Sequence, residues 1–128
     1  MSSLERTLAL SASGMQAQAA RLRHVAENIA NADTPGYRRK LIPFQPHALP
    51  GDSFGAASGV RPGPVQSDRT ELTRIYDPGL ILADETGHYD GSNVDLMVEV
   101  ADAREAQRSY EANLRMFDQA RQMSQSLI

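Results

Sequence analysis

The run Asn28-Ile29-Ala30-Asn31-Ala32-Asp33-Thr34-Pro35-Gly36-Tyr37 divides the chain into two kinds of structure, because it closes one long helical pattern. Pro35 cannot continue a helix and moves the residue before it out of the α region. From Thr34 to Tyr37 the chain has Pro at the second position and Gly at the third, which is typical of a type II turn. The sequence therefore predicts a helix stop followed by a tight turn.

Upstream of this run, the pattern predicts a helix from about Leu4 to Asn31. Ser2 and Glu5 have the spacing of a capping box at its start. A heptad seam, which is typical of coiled coils, is formed by Leu8, Ala12, Met15, Ala19, Leu22, Ala26 and Ile29. Gly14 lowers the intrinsic stability of such a helix by roughly 1 kcal/mol relative to Ala, so we expect the helix to need packing partners.

The C-terminal part repeats the pattern. Ser92 and Asp95 predict a second capping box, and with it a helix from about Ser92 to Ile128. Its heptad seam is formed by Leu96, Val100, Ala103, Gln107, Tyr110, Leu114 and Phe117, and Ala106, Ala120, Met123 and Leu127 extend the edge. Two paired helices bury only one stripe each, which predicts that other chains supply the missing buried area. An ordinary intramolecular core is the alternative interpretation.

The middle of the chain is rich in helix-breaking residues. Residues 38–91 hold six of the seven prolines, and residues 36–91 hold eight of the nine glycines. Short strands are predicted at 41–44 and 72–76, with Val60 and Val65 as anchors of a third strand. We expect a mobile loop over 52–63 and a turn at Asp77-Pro78-Gly79.

These patterns predict a mainly α fold. Two long terminal helices form an antiparallel, coiled-coil-like hairpin, and an irregular Pro/Gly-rich β/loop insert lies between them. The corresponding domains are residues 1–34, 35–91 and 92–128.

Composition excludes several classes of function. The net charge of −3 and the pI near 5.5 disfavour a general nucleic-acid binder. The absence of Cys excludes disulfides, thiolate catalysis and Cys-based metal sites. No apolar stretch is long enough to span a bilayer, and no cleavable Sec-type signal is recognisable at the N-terminus. We therefore expect a cytosolic protein or one that is exported by another route.

Residues that could carry chemistry are sparse. His24, His47 and His88 lack the spacing of a zinc site. The acidic cluster over 84–95 fits no calcium loop and instead predicts turns and helix caps. We therefore expect no enzyme, no metal and no cofactor. The basic patch Arg38-Arg39-Lys40 is interpreted either as a solvated flank of the turn or as a contact with an acidic neighbouring subunit.

The run from Asn28 to Tyr37 resembles the N-terminal signature of the bacterial flagellar basal-body rod proteins. The residues that carry the signature are Asn28, Asn31, Thr34, Pro35, Gly36 and Tyr37. The lead-in at 12–18 and the segments 76–79, 82–87 and 108–113 are similar to a proximal rod member. Residues 90–95 are closer to the neighbouring rod protein FlgB, so a FlgB-type subunit remains an alternative.

This resemblance implies a structural subunit of the proximal rod. Such subunits are exported by the flagellar type III apparatus without a cleavable signal and polymerise in the periplasm into a hollow drive shaft around the export channel. The implied partners are copies of the chain, the rod proteins FlgB, FlgF, FlgG and FliE, and the export apparatus. Neither nucleic acid nor direct membrane insertion is expected.

Residue roles follow from the seams and the resemblance together. We expect subunits to pack through Leu8, Met15, Leu22, Ile29, Leu96, Val100, Tyr110, Leu114 and Phe117. The neutral polar side chains Gln119, Gln122 and Gln125 are predicted to face the channel. The alternative from a different class is a cytosolic helical-hairpin adaptor that dimerises through the same seams.

Overall fold

The computed structural model describes residues 2–49 and 59–127. Helix α1 comprises Ser3–Ala30, within one residue of the predicted range at each end. The predicted capping box is confirmed: Glu5 N donates to Ser2 Oγ at 3.1 Å, and Ser2 N donates to Glu5 Oε2 at 3.2 Å. Two backbone donors that would otherwise lack partners at the helix start are thereby satisfied.

Helix α2 comprises Leu96–Ser126 and begins later than predicted. Its N-cap is Asp95, whose Oδ1 accepts from Met97 N at 3.0 Å. The predicted start at Ser92 was wrong because the Ser92 hydroxyl donates to Ala32 O. Ser92 is buried and joins the segment before α2 to the end of α1. The end predicted for this helix, Ile128, lies outside the described residues.

The two helices pack antiparallel, as predicted. Gly14 lies against Asn113 near the middle, and Asn28 bonds to Glu99 where α1 ends and α2 begins. The buried apolar residues between the helices are small: Ala17, Ala20, Ala106 and Ala120. A Cβ added at Gly14 would lie 2.7 Å from Asn113 Oδ1, so the Asn113 side chain would have to move to accept it. The predicted fold class, two long helices packed together around a β/loop insert, is confirmed.

The insert contains short antiparallel strand pairs rather than a sheet. The pairs within the described residues are β1 with β4, β2 with β3, and β5 with β6. The strands are β1 (Lys40–Leu41), β2 (Phe44–His47), β3 (Gly59–Pro62), β4 (Gln66–Ser67), β5 (Arg74–Tyr76) and β6 (His88–Asp90).

Comparison with the predicted strands gives a mixed result. The strand predicted over 72–76 is confirmed at Arg74–Tyr76, whereas the one predicted over 41–44 divides before and after Ile42 and Pro43 into β1 and β2. Val60 lies in β3, and Val65 lies just before β4. The predicted loop over 52–63 was wrong at its end, where Gly59–Pro62 pairs with β2. The rest of that loop, 52–58, lies outside the described residues.

The β2–β3 pair packs on α1. Val60 N donates to Ser13 Oγ at 3.3 Å, and Leu49 is buried against Gly59. The buried residues therefore form a narrow layer, which lies along the contact between α1 and α2 and beneath the β2–β3 pair. Among the residues that the structure describes, neither α1 nor α2 is long and apolar enough to cross a lipid bilayer.

Candidate functional site

The turn after α1 has the predicted geometry. Tyr37 N donates to Thr34 O at 3.2 Å, and Gly36 has φ +76°, the left-handed value that a type II turn needs at its third position. Gly36 N also lies 3.1 Å from both Asp90 O and Gly91 O. The turn is thereby fixed to the end of β6, which places the insert relative to α1.

Asn31 and Thr34 complete the end of the helix. Asn31 Nδ2 donates to Glu27 O at 2.9 Å, and Thr34 Oγ1 donates to Asn31 Oδ1 at 3.1 Å. Glu27 O also accepts from Asn31 N at 3.1 Å, so the side-chain amide gives this carbonyl a second donor at the helix end. These two signature residues therefore have local roles in ending the helix.

Asn28 lies at the centre of a group of polar side chains, Asn28, Tyr37, Arg39, Glu99 and Asp102, which we call the junction cluster. The Asn28 Oδ1 atom accepts from Tyr37 Oη at 2.8 Å and from Lys40 N at 2.9 Å. Its Nδ2 atom donates to Lys40 O at 3.0 Å and to Glu99 Oε2 at 3.3 Å. Asn28 is 1% exposed, so one buried amide links α1, the turn, β1 and α2.

A buried ion pair completes the junction cluster. Glu99 is fully buried, and Arg39 Nε donates to its Oε1 while Arg39 Nη2 donates to Asp102 Oδ2 at 2.6 Å. Burial lowers the pKa of the Arg39 guanidinium, but the hydrogen bond and charge of Glu99 outweigh it, so the pKa is raised. Burial also raises the pKa of Tyr37, which therefore stays protonated as the donor to Asn28. Because these charges pair with one another inside the chain, they have a structural role.

The residues of the basic patch Arg38-Arg39-Lys40 bond within the chain. Arg39 bonds to the acidic residues of α2, and Lys40 Nζ donates to Glu27 Oε1 of α1. The Lys40 hydrogen bond lowers the pKa of Glu27. Arg38 Nη1 donates to Thr70 O at 3.1 Å. Each of the three residues therefore has a partner within its own chain, while Arg38 stays exposed to solvent.

Asn93 connects the start of α2 to a loop that sequence reasoning left unassigned. Arg39 N donates to Asn93 Oδ1 at 2.6 Å, and Asn93 Nδ2 donates to Asp68 O at 2.9 Å. Hydrogen bonds from Thr70 lower the pKa of Asp68, which therefore stays ionised near Arg39. Residues 68–70 are thereby held against the segment that leads into α2.

Sequence reasoning missed Glu99, Asp102 and Asn93. One signal was present: Glu99 is separated by seven residues from Ala106, and Ala106 by fourteen from Ala120, and all three lie on the buried face of α2. The heptad seam of α2 was instead assigned mainly to large apolar residues, and Glu99 was therefore not considered as part of the buried face. The cation that pairs with Glu99 is 60 residues away in the sequence, and no single-sequence pattern connects them.

The predicted seams lie away from the contact between α1 and α2. At 100° per residue, the α1 seam lies roughly opposite the buried positions 13, 17 and 20, whereas the buried positions 11 and 25 lie at its edge. The α2 seam lies beside the buried positions 99, 106 and 120. Each of the nine large seam residues is half-buried or exposed, and Leu96 is 52% exposed. Small residues are prominent where the helices pair, and the large apolar seam residues stay partly or largely exposed.

The other predicted positions are at the molecular surface. Gln119, Gln122 and Gln125 are all exposed near the end of α2. The turn chemistry predicted for the acidic cluster is confirmed at Asp84, whose Oδ1 accepts from Thr86 N at 2.9 Å and from His88 N at 3.1 Å. Thr86 and Arg74 lower the pKa of Asp84. No cluster of His and acidic side chains suited to a metal ion occurs within residues 2–49 and 59–127.

Both ends of the chain match protein families. Residues 8–38 match the family described as "Flagella basal body rod protein", and residues 85–128 match "Flagellar basal body rod FlgEFG protein C-terminal". The first match contains the turn and Asn28, and the second contains α2.

Curated relatives extend the similarity over most of the chain. A flagellar basal-body rod protein FlgC of Agrobacterium fabrum is 42% identical over 93% of this chain and 88% of its own length. The FlgC protein of Salmonella typhimurium is 34% identical over 89% of this chain and 87% of its own length. That of Bacillus subtilis is 32% identical over 84% of this chain and 85% of its own length.

Proposed function

Because the chain belongs to the flagellar basal-body rod protein family, we propose that its terminal helices build the wall of the rod by packing against the helices of neighbouring subunits. It is a structural subunit of the proximal rod, of the FlgC type, and not an enzyme. The relatives over most of its length are named FlgC, which favours that type over FlgB and disfavours a cytosolic adaptor.

One observation carries the proposal: small residues line much of the contact between the helices, and large apolar residues of both helices stay partly or largely exposed. Leu96, Val100 and Leu114 are 52%, 44% and 40% exposed on α2, and Ile29 is 39% exposed on α1. Burying apolar surface stabilises an assembly by about 25 cal/mol per Å². A helix with several large apolar side chains exposed to water therefore favours association with another surface. We assign the nine seam residues, from Leu8 to Phe117, to contacts between subunits.

The junction cluster has a geometric role in this proposal. Asn28, Tyr37 and Arg39 fix the direction in which the insert leaves the helix pair, so every subunit presents the insert at the same angle. A helical polymer repeats one contact many times, and a small error in angle therefore accumulates along it. We infer that the signature residues Asn28, Asn31, Thr34, Pro35, Gly36 and Tyr37 serve this alignment.

The chain assembles with rod subunits, as its family does. More specifically, we propose that its partners are copies of itself and the rod proteins FlgB, FlgF, FlgG and FliE. We further propose that the flagellar type III apparatus exports it to the periplasm without a cleavable signal. The exposed side chains of Gln119, Gln122 and Gln125 are assigned to the wall of the export channel, where neutral polar groups hold neither charged nor apolar cargo.

The test of the seam replaces Leu22 with Glu in a motile strain. Leu22→Glu places a charge in the proposed contact, and we expect loss of the tagged subunit from purified basal bodies and loss of swimming. Gln16→Glu is the matched control, because Gln16 is exposed on the same helix and lies outside the seam. Normal rods and swimming with Leu22→Glu would refute the assignment.

A further inference from the structure

Three arginines lie in one row along the exposed side of α2: Arg104, Arg108 and Arg115, which we call the arginine stripe. At 100° per residue, they lie within about 40° of one another around the helix axis. All three are exposed, and none of them forms a hydrogen bond or an ion pair within residues 2–49 and 59–127. The contacts that hold the fold together therefore leave these three cations without a role.

The arginine stripe lies opposite the face of α2 that packs on α1. The buried positions Glu99, Ala106 and Ala120 lie roughly 140–180° from the middle of the stripe. Since the β2–β3 pair packs on α1, the stripe faces away from α1 and from this part of the insert.

Both flanks of α2, between the stripe and the buried face, carry exposed apolar residues. The predicted seam forms one flank and includes Leu96 and Leu114. Met116 and Met123 lie on the other flank and are 50% and 52% exposed. Two apolar flanks suit neighbouring helices on both sides of α2, as in a closed wall, and the charged side between them then stays in contact with water.

The arginine stripe shares its direction with the glutamines assigned to the channel wall. Helix α2 is continuous from Leu96 to Ser126, and Gln122 follows Arg104 by 18 residues, which is five full turns at 3.6 residues per turn. Gln119 and Gln125 lie roughly 60° to either side of Gln122. The arginines therefore belong to the same side of the helix as the proposed wall.

This side of α2 has a net positive charge. Glu111 lies among the arginines, and Asp118 lies at the edge, where it pairs with Arg121 at 4.0 Å. Three arginines against Glu111 leave an excess of positive charge. A helical polymer repeats the stripe with every subunit, and rings of Arg or Lys side chains are a device by which a narrow pore favours anions.

We propose that the arginine stripe lines the export channel and binds the acidic side chains of extended polypeptides in transit. This role rests on the proposed function, because it assigns a ligand to the channel wall. An extended copy of this chain fits the chemistry, since its net charge is −3 and residues 76–95 contain five acidic residues and no Lys or Arg. Ion pairs between exposed charges are weak, so a passing chain is attracted without being trapped.

Thiol accessibility tests the direction of the stripe, because the chain contains no Cys of its own. In purified basal bodies, Arg108→Cys should react with a small maleimide but not with a maleimide coupled to a folded protein, which a narrow channel excludes. The same variant as an isolated chain is the control and should react with both reagents. No reaction in basal bodies would place Arg108 between subunits, and reaction with both reagents would place it on the outer surface. Either result would overturn the proposal.

The charge of the reagent tests the electrostatics of the stripe. Gln122→Cys in basal bodies is the reporter, and its reaction rates with an anionic and a cationic thiol reagent of equal size are compared at low salt. Changing all three arginines of the stripe to Gln should lower the ratio of the anionic to the cationic rate by at least about tenfold. The ratio cancels any effect of the arginines on the thiol itself.

A matched variant controls for the total charge. It changes three other exposed arginines to Gln and should leave the ratio unchanged: Arg23, Arg61 and Arg69. Equal ratios in the two triple variants would contradict the proposal. A reporter that reacts from the channel at a ratio insensitive to the stripe would refute the role of the arginines and leave the assignment of Gln122 to the wall standing.

A synthetic peptide of residues 76–95 tests the ligand. It should slow the modification of the Gln122→Cys reporter in basal bodies, whereas the same peptide with its acidic residues changed to Asn or Gln should not. Absence of protection, equal protection by both peptides, or protection that persists without the arginine stripe would each refute binding of acidic side chains. Because Leu22→Glu is tested separately, these results would leave polymerisation through the seams standing.

Discussion

Asn28 has a role that few other side chains could fill. Its Oδ1 accepts from Lys40 N, and its Nδ2 donates to Lys40 O, so its amide pairs with β1 as a neighbouring strand would. A carboxylate could accept but not donate, and an apolar side chain could do neither. Buried at 1% exposure, the amide leaves neither the Lys40 N–H nor the Lys40 carbonyl without a partner.

Glu99 supports a prediction on buried charge. Glu99→Gln leaves the Arg39 guanidinium without its buried counter-ion, and we expect the free energy of unfolding to fall by about 2–4 kcal/mol. Glu105→Gln is the control on the same helix, because Glu105 is 68% exposed and lies 3.7 Å from Arg21. Its expected cost is about 0.5 kcal/mol or less. Urea unfolding followed by circular dichroism measures both, and equal losses would argue against a buried ion pair at Glu99.

Asp84 supports a prediction on pH. Its pKa is lowered by Thr86 and Arg74, so the stabilisation that it provides is complete above the unfolded value of about 3.9 and is lost as the pH falls through the folded pKa. Asp84→Asn should therefore destabilise the β5–β6 hairpin at pH 7 and match the wild type at strongly acidic pH. The chemical shift of the Thr86 amide, measured by NMR in the wild type and in Asp84→Asn across this pH range, reports the hydrogen bond between Thr86 N and the side chain at position 84. A constant difference across that range would contradict the prediction.

At the scale of elements, periodicity predicted both helices because a heptad pattern depends only on residues close in sequence. It did not predict which face pairs within the chain. Large apolar residues usually mark the contact, but here Gly14 lets Asn113 approach and small residues line the contact instead. The larger residues are then free for contacts that a single chain cannot display.

The helix contact supports a double-mutant prediction. Gly14→Ala alone gains roughly 1 kcal/mol of helix propensity. The added Cβ would lie 2.7 Å from the Asn113 side chain, whose Nδ2 donates to Ser109 O, so the substitution also crowds the contact between the helices. We expect no net stabilisation in the wild type and about 0.5–1 kcal/mol in an Asn113→Ala background. Thermal melts of the four proteins give the coupling. Stabilisation of equal size in both backgrounds would show that the helices do not meet at Gly14.

The boundaries of α2 and the junction cluster show why the remaining features escaped sequence reasoning. Ser92 and Asp95 are both acceptable caps, and the choice depends on Ala32 O, which accepts from the Ser92 hydroxyl. Arg39 and Glu99 look like ordinary surface charges until the fold brings them together. Local rules therefore gave the helices and the turn, whereas contacts across 60 or more residues needed the three-dimensional structure.

At the scale of the whole molecule, stability is distributed unevenly. Three of the buried polar residues, Asn28, Ser92 and Glu99, lie at or near the junction cluster, whereas the far ends of the helices meet around an open groove lined by Leu4 and Met123. We expect amide hydrogen exchange in the isolated chain to be slowest near Asn28 and Glu99 and fastest over residues 2–8 and 120–127. Exchange measured by NMR or mass spectrometry checks this gradient. Uniform protection along both helices would contradict it.

The pairing of α1 with α2 also governs the rate of folding. Asn28 and Glu99 are separated by 71 residues, and Leu4 and Met123, which line one groove at the far helix ends, are farther apart still in the sequence. Contacts between such distant residues form slowly, because the loop entropy must be lost before any of them stabilises the chain. Neither helix buries enough surface to persist alone. We therefore expect a newly made chain to remain extended for longer than one stabilised by local contacts, and this delay would give the proposed export apparatus time to engage it.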